Sequence, residues 1–251
     1  MSNAILIIGE SGTGKSSSIR TLNPSETYIV NVLNKSLPFR GWASKYKCQP
    51  GGNLGRTDNI EKITNLMLGI SQNRLDIKNI VIDDFHFTMA NEYMRRAKEG
   101  NYSKFIDIGC NTFSIIDYAL SLREDITVIF LCHSEINKKG FSTIKTLGEM
   151  TKKYVDVEAK VTVILHTLVL DEDDPAQRYK FITNRTTEYL AKSPDGMFDS
   201  LYIPNDLSYV LNQIEKYAYD EEQLEKEIDS VESKNEKSFD SPPEVIEEIT
   251  I

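Results

Sequence analysis

The octapeptide Gly9-Glu10-Ser11-Gly12-Thr13-Gly14-Lys15-Ser16 fits the pattern GxxxxGK[ST] and begins where the apolar run Ala4-Ile5-Leu6-Ile7-Ile8 stops. A short, β-branched apolar run reads as a buried parallel strand, and Ser17-Ser18-Ile19-Arg20 reads as the start of a helix. Strand, glycine-rich turn and helix form the setting in which this motif acts. The glycines let the chain turn so tightly that successive N–H groups converge on one point, and the helix N-terminus adds partial positive charge. Phosphate suits such a cradle, with Lys15 reaching the β and γ phosphates and Ser16 offering its hydroxyl to Mg²⁺. The expected nucleotide contacts are therefore Gly9, Glu10, Ser11, Gly12, Thr13, Gly14, Lys15, Ser16 and Ser17, with ATP and Mg²⁺ as cofactors.

Further apolar runs at 28–33, 80–82, 126–132 and 161–170 alternate with helical periodicity at 60–70 and 113–122. That alternation predicts an α/β domain with a mostly parallel sheet. The polar stretch Asp171-Glu172-Asp173-Asp174-Pro175 followed by apolar residues at 179–183 predicts a β-hairpin. From Leu207 the apolar residues Val210, Ile214 and Tyr217, then Leu224, Ile228 and Val231, recur in steps of three and four with Glu221 interrupting the series, which predicts an amphipathic helix.

In an open α/β sheet, ligands lie beyond the C-terminal strand ends. One such end is Ile80-Val81-Ile82-Asp83-Asp84. Asp83 is expected in the Mg²⁺ shell, and Asp84 either orients or deprotonates a water or caps a helix over 85–98. The next strand ends at His133, placed to sense a γ-phosphate or to satisfy a neighbouring backbone group.

Charge is distributed unevenly. Of 38 acids and 29 bases in 251 residues, twelve acids and three lysines lie in 220–251, which therefore carries the whole net charge of −9. The body, 1–219, balances 26 acids with 26 bases, so an acidic chain does not exclude a local basic strip. Beyond Ser233 the acid-rich, Ser/Pro-containing sequence is expected to be disordered. No apolar run approaches a membrane span and no signal-peptide order is present, so neither a membrane nor a secreted protein is expected. The cysteines Cys48, Cys110 and Cys132 have no metal-ligand spacing, and the three histidines are scattered, which argues against a zinc site and for a reducing compartment.

Taken in order, GESGTGKS at 9–16, LPFRGW at 37–42, VIDDF at 81–85, KF-x-DIG at 104–109, LCHSE at 131–135, IKTLGEM at 144–150, AKSPDGMFDS at 191–200 and LYIPNDL at 201–207 resemble the phage-type P-loop ATPases of the RecA-like superfamily, the core-only single-strand annealing proteins. The resemblance implies a RecA-like core over 1–219 with a C-terminal helix, and an acidic tail over 220–251. It implies ATP hydrolysis, a ring or filament of copies on single-stranded DNA, a role in recombination or replication, and the cytoplasm of an infected bacterial host. In RecA a water-activating glutamate follows the second strand. Here that place reads Asn31-Val32-Leu33-Asn34-Lys35, without an acid. The resemblance also makes Lys192 a candidate trans-acting cation, with Arg185 as second choice, and puts a DNA loop between the His133 strand and 161. Lys138, Lys139, Lys145, Lys152 and Lys153 lie there, in a stretch of net +3 over 136–160 with Phe141 and Tyr154 among them. A solvated helical face accounts for the same lysines. The acidic tail is expected either to compete with DNA or to recruit a single-strand binding or replication protein. The alternatives are a nucleotide-switched loader or adaptor, which the missing glutamate suits, and a nucleotide kinase, whose Arg-rich lid is absent beyond Arg95-Arg96.

Overall fold

The computed structural model describes residues 3–145 and 157–219. Its strands are β1 (Asn3–Gly9), β2 (Thr27–Asn31), β3 (Leu54–Gly55), β4 (Asn79–Asp83), β5 (Thr127–Ile136), β6 (Ser142–Ile144), β7 (Val163–Val169), β8 (Tyr179–Ile182) and β9 (Tyr202–Pro204). They lie in the order β3-β2-β4-β5-β1-β7-β8-β9, with β6 added to β5. Every pair from β3 to β7 is parallel, and β7–β8, β8–β9 and β5–β6 are antiparallel. The chain is thus α/β with a mostly parallel mixed sheet, as its alternating pattern predicts.

The chain leaves β1 for β2 on one side, works back through β4 and β5, and then crosses to β7 on the other. β1 is therefore a topological switch point, and the crevice beyond its C-terminal end is where such sheets bind ligands. Both faces of the central strands are buried, which accounts for their unbroken apolar runs. On one face Ala4, Leu6 and Ile8 cluster with Ile80, Ile82, Val128 and Phe130. Two helices cover that face: α1 (Ile60–Asn73), through Ile63, Met67 and Ile70, and α3 (Ser103–Leu120), through Ile115, Ile116 and Ala119. Between them in sequence, α2 (His86–Arg95) follows β4 after only two residues. The Asn59 side chain caps α1 by accepting from Lys62 N at 2.9 Å.

Several elements differ from their expected form. The helix after the glycine turn is a six-residue 3₁₀ stretch, Ser16–Thr21. Its side chains explain this: Ser18 Oγ donates to the Lys15 carbonyl and Thr21 Oγ1 to that of Ser18, bonds that compete with α-helical pairing. β5 runs on through His133 to Ile136 and returns as β6, so part of the expected DNA loop is a β-hairpin. Its turn is fixed by Asn137, whose Oδ1 accepts from Lys139 N and Phe141 N, and by Gly140 at φ 75°. β3 and β9 are too short for periodicity to announce. At the C-terminus α4 (Leu207–Ala218) starts on Asp206, whose Oδ1 accepts from Tyr209 N. Its expected extension to Val231 and the acidic tail lie outside the described residues. Compactness divides the chain between Val210 and Leu211, whereas composition sets the expected boundary at 219. No helix among the described residues is long and apolar enough to cross a membrane.

Candidate functional site

β1 ends at Gly9, whose backbone passes so close to β7 that an added Cβ would lie 1.9 Å from Thr167 Oγ1. Only glycine fits there. The Thr167 and Thr13 hydroxyls lie 2.5 Å apart, and Thr13 donates to the Glu10 carbonyl, so the turn is tied to the neighbouring strand. Gly14 at φ 96° completes the reversal in a backbone region that side chains rarely tolerate.

The turn delivers Lys15 into the fold rather than away from it. The residue is 6% exposed, and its ammonium donates to the Gly9 carbonyl at 2.8 Å and the Glu10 carbonyl at 2.5 Å. An ammonium has three donors, so one remains for a ligand. Burial pushes this group down to about 8, against the opposing pull of Asp84 and Asp83.

Asp83 and Asp84 are adjacent in sequence but do different things. Asp83 is fully buried at the end of β4, and its Oδ1 accepts from Ser16 Oγ at 2.6 Å. Its Oδ2 is buried without a hydrogen-bond partner. Burial raises its carboxyl to about 6, the Asp84 charge adds to the shift, and the Ser16 bond opposes it. Asp84 takes a left-handed backbone, φ 62°, which turns its carboxylate toward Lys35 and His133. It is ion-paired to the Lys35 ammonium and lies 3.4 Å from His133 Nε2. Burial works to raise this carboxyl, but the bonds from His133 and Lys35 outweigh it and the net shift is downward. Behind His133 lies His86, its ring centroid 4.5 Å away, with Nδ1 accepting from the His133 backbone N–H at 3.5 Å. Burial pushes His86 down to about 3, so it is a neutral support.

Lys15, Ser16, Lys35, Asp84 and His133 line one cleft of about 300 Å³ together with Ser11, Gly12, Gly14 and Ser17. Ser16 and Asp83 are the pair that could hold Mg²⁺, because a buried carboxylate oxygen without a partner and a hydroxyl lie side by side. No group of three or more His, Cys, Asp and Glu among the described residues could hold a metal. A cation here would need phosphate oxygens and water to complete its shell, the habit of Mg²⁺.

Of the expected site residues, Glu10 and Thr13 face a second cleft of about 470 Å³ on the β7 side, lined also by Ser142, His166, Glu188 and Tyr189. Lys192 does not reach the cleft of its own chain. Its backbone pairs with Ile164, level with Leu6 and about 10 Å back along the strand from Gly9 at roughly 3.3 Å per residue. Its ammonium donates to the Glu158 carbonyl at 2.7 Å. Arg185 lies over the Phe141 ring at 4.5 Å, which covers one face of an aromatic expected to stack on bases. Lys138 and Lys139 are exposed at the hairpin tip and Lys145 just past β6, while Lys152, Lys153 and Tyr154 lie outside the described residues. Lys35 is the site residue that sequence reasoning missed. Its place after the C-terminal end of β2 is readable from the sequence, but the resemblance points to an acid there and not to a base.

No protein-family model matches the chain, and a search of curated proteins finds no match either.

Proposed function

We propose that the chain binds ATP with Mg²⁺ and hydrolyses it, as a RecA-like ATPase that assembles on single-stranded DNA and promotes annealing. The observation that carries the nucleotide part is the Ser16–Asp83 hydrogen bond. It joins the end of the glycine turn to a carboxylate two strands away, with β5 between them contributing His133. A turn with no ligand would have no use for a desolvated ammonium and a buried, half-partnered carboxylate in one place.

Lys15 supplies the phosphate-facing charge from within the turn, and Ser16 and Asp83 would hold Mg²⁺. Bound there, the ion would supply positive charge to offset that of the phosphates. Asp84, ionised and fixed by two donors, is a weak base. It fits the positioning of His133 and of a water better than proton abstraction. Lys138, Lys139 and Lys145 on the hairpin are the described residues suited to track a nucleic-acid backbone.

A second reading, a nucleotide-switched loader with little turnover, is favoured by Lys35 standing where an acid is missing. The kinase reading is weakened by its only arginine pair. Arg96 is engaged by Glu92, Glu99 and Asp107 and Arg95 by Asp58, beside a separate cleft among the helices. Phosphate release measured with and without single-stranded DNA decides: the ATPase reading expects turnover that DNA raises. Binding of ATP with no turnover under either condition would leave the loader. ADP formation without free phosphate, appearing only on adding nucleosides or nucleotides, would indicate a kinase, because the γ-phosphoryl group then leaves on the acceptor.

A further inference from the structure

Among the described residues only Asn34 and Asp84 combine a side chain with a left-handed backbone, φ 53° and 62°. Such conformations collect where a function requires them. The two residues follow the ends of paired strands, Asn31 of β2 lying level with Asp83 of β4. Between Asn31 and Lys35 the chain makes a tight turn locked from within: the Asn31 amide donates to the Lys35 carbonyl at 2.6 Å, and its Oδ1 accepts from Lys35 N at 3.3 Å. This turn aims the Lys35 ammonium at Asp84. The pair is lopsided, since the lysine side chain is 44% exposed and the aspartate 3%. Lys35 is thus the movable member, a point charge on a flexible stem beside the same cleft as Lys15 and Ser16. If it left, Asp84 would still have His133 and would not be stranded.

We propose that Lys35 is a ligand for the terminal phosphate, exchanging Asp84 for it when a nucleoside triphosphate fills the cleft and returning when only a diphosphate is left. The proposal rests on the nucleotide reading above and adds the group that distinguishes three phosphates from two. A terminal phosphate carries more charge than a carboxylate and offers more acceptor oxygens, so an exposed ammonium within reach of both favours the phosphate. The released carboxylate then becomes available to a water beside His133, which couples readout of the triphosphate to the arrangement of the site.

Equilibrium binding of fluorescent ADP and of a non-hydrolysable ATP analogue to the full chain in Mg²⁺ tests this. Lys35→Met should weaken the analogue by about tenfold or more and ADP by less than about twofold, the loss expected for one charge-assisted bond. Asp84→Asn should tighten the analogue and leave ADP unchanged, because Lys35 loses the partner that competes with the phosphate. Relief of repulsion between the carboxylate and the phosphates would also tighten the analogue, so the gain should vanish in Lys35→Met/Asp84→Asn, a pair of changes that leaves no stranded carboxylate; a gain that persists there overturns the proposal. If Lys35→Met shifts both nucleotides equally or neither, or if Asp84→Asn binds the analogue no more tightly, the proposal is overturned while the nucleotide reading stands. If the unmodified chain binds neither nucleotide, both are overturned.

Discussion

β1 is flanked by two strands that each bring a histidine level with the start of the glycine turn, His133 opposite Gly9 on β5 and His166 opposite Ile8 on β7. Their neighbours make them unlike. His166 Nδ1 lies 3.0 Å from the Thr167 carbonyl, which can only accept, so that nitrogen carries the proton and Nε2 accepts from Ser142 Oγ at 2.9 Å. Burial pushes this imidazole down to about 4, and it packs beside the Tyr189 ring. His133 instead meets a carboxylate, and its ring borders the phosphate-sized cleft. The β5 flank concentrates charge where a ligand would lie, while the β7 flank uses neutral hydrogen bonds and the Thr13–Thr167 contact to hold the turn in shape.

The largest expected effect tests the charged flank. Lys15→Ala should lower ATP affinity by about 10²-fold or more, since its ammonium lies in the glycine turn beside the cleft, where it would meet the phosphates. Circular dichroism should remain that of the parent chain, and unchanged affinity would remove the phosphate assignment. Next comes the neutral flank. His166→Ala should cost about 3 kcal/mol in urea unfolding, because it opens a cavity and strands the Ser142 hydroxyl. His133→Ala, on the rim of an open cleft, should cost less than about 1 kcal/mol. Equal losses would dissolve the contrast between the flanks.

The most pH-dependent effect concerns Asp83. Its folded carboxyl titrates near 6 against an ordinary 3.8. The folded state therefore binds the proton more tightly, and stability falls as pH rises between those values. The penalty is absent below about pH 4 and complete above about 6. Asp83→Asn should therefore be more stable than the parent by up to about 3 kcal/mol at pH 7, a gain that fades toward pH 4, while Mg²⁺-dependent nucleotide affinity is lost. Parallel stability curves for the two chains would show that burial does not strain this carboxyl.

The parts of the fold legible from sequence were those set by local repetition. Apolar runs marked the longer parallel strands, and the octapeptide marked a glycine-rich turn after β1, though the helix expected beyond it is a short 3₁₀ segment. The Asp83-Asp84 pair was legible as a strand end, but not the backbone reversal that separates the roles of the two carboxylates. The place of Lys35 after β2 was legible, but not its contact, since it reaches Asp84 through a turn held by the Asn31 side chain, which has no periodicity. Lys192 shows the reverse. Its motif drew attention to it, yet sheet register sets it far back from the cleft of its own chain, a quantity fixed only when β7 and the 192 segment pair. The β5–β6 hairpin escaped notice because Ser134 and Glu135 interrupt the apolar run while Asn137 and Gly140 supply the turn.

The left-handed backbone at Asp84 narrows the evolutionary choices at that position. Aspartate, asparagine and glycine are the residues that enter this region most easily, and of these only aspartate carries a charge. Glutamate would keep the charge but pay for the conformation, and β-branched or bulky residues would meet the steric penalty in full. The position can therefore lose its carboxylate without disturbing the fold through Asp→Asn, which a single-nucleotide change can make. In a lineage that ceased to need the carboxylate, asparagine or glycine should be the first residues to appear at 84, and their presence would mark that loss more reliably than any change at the neighbouring Asp83.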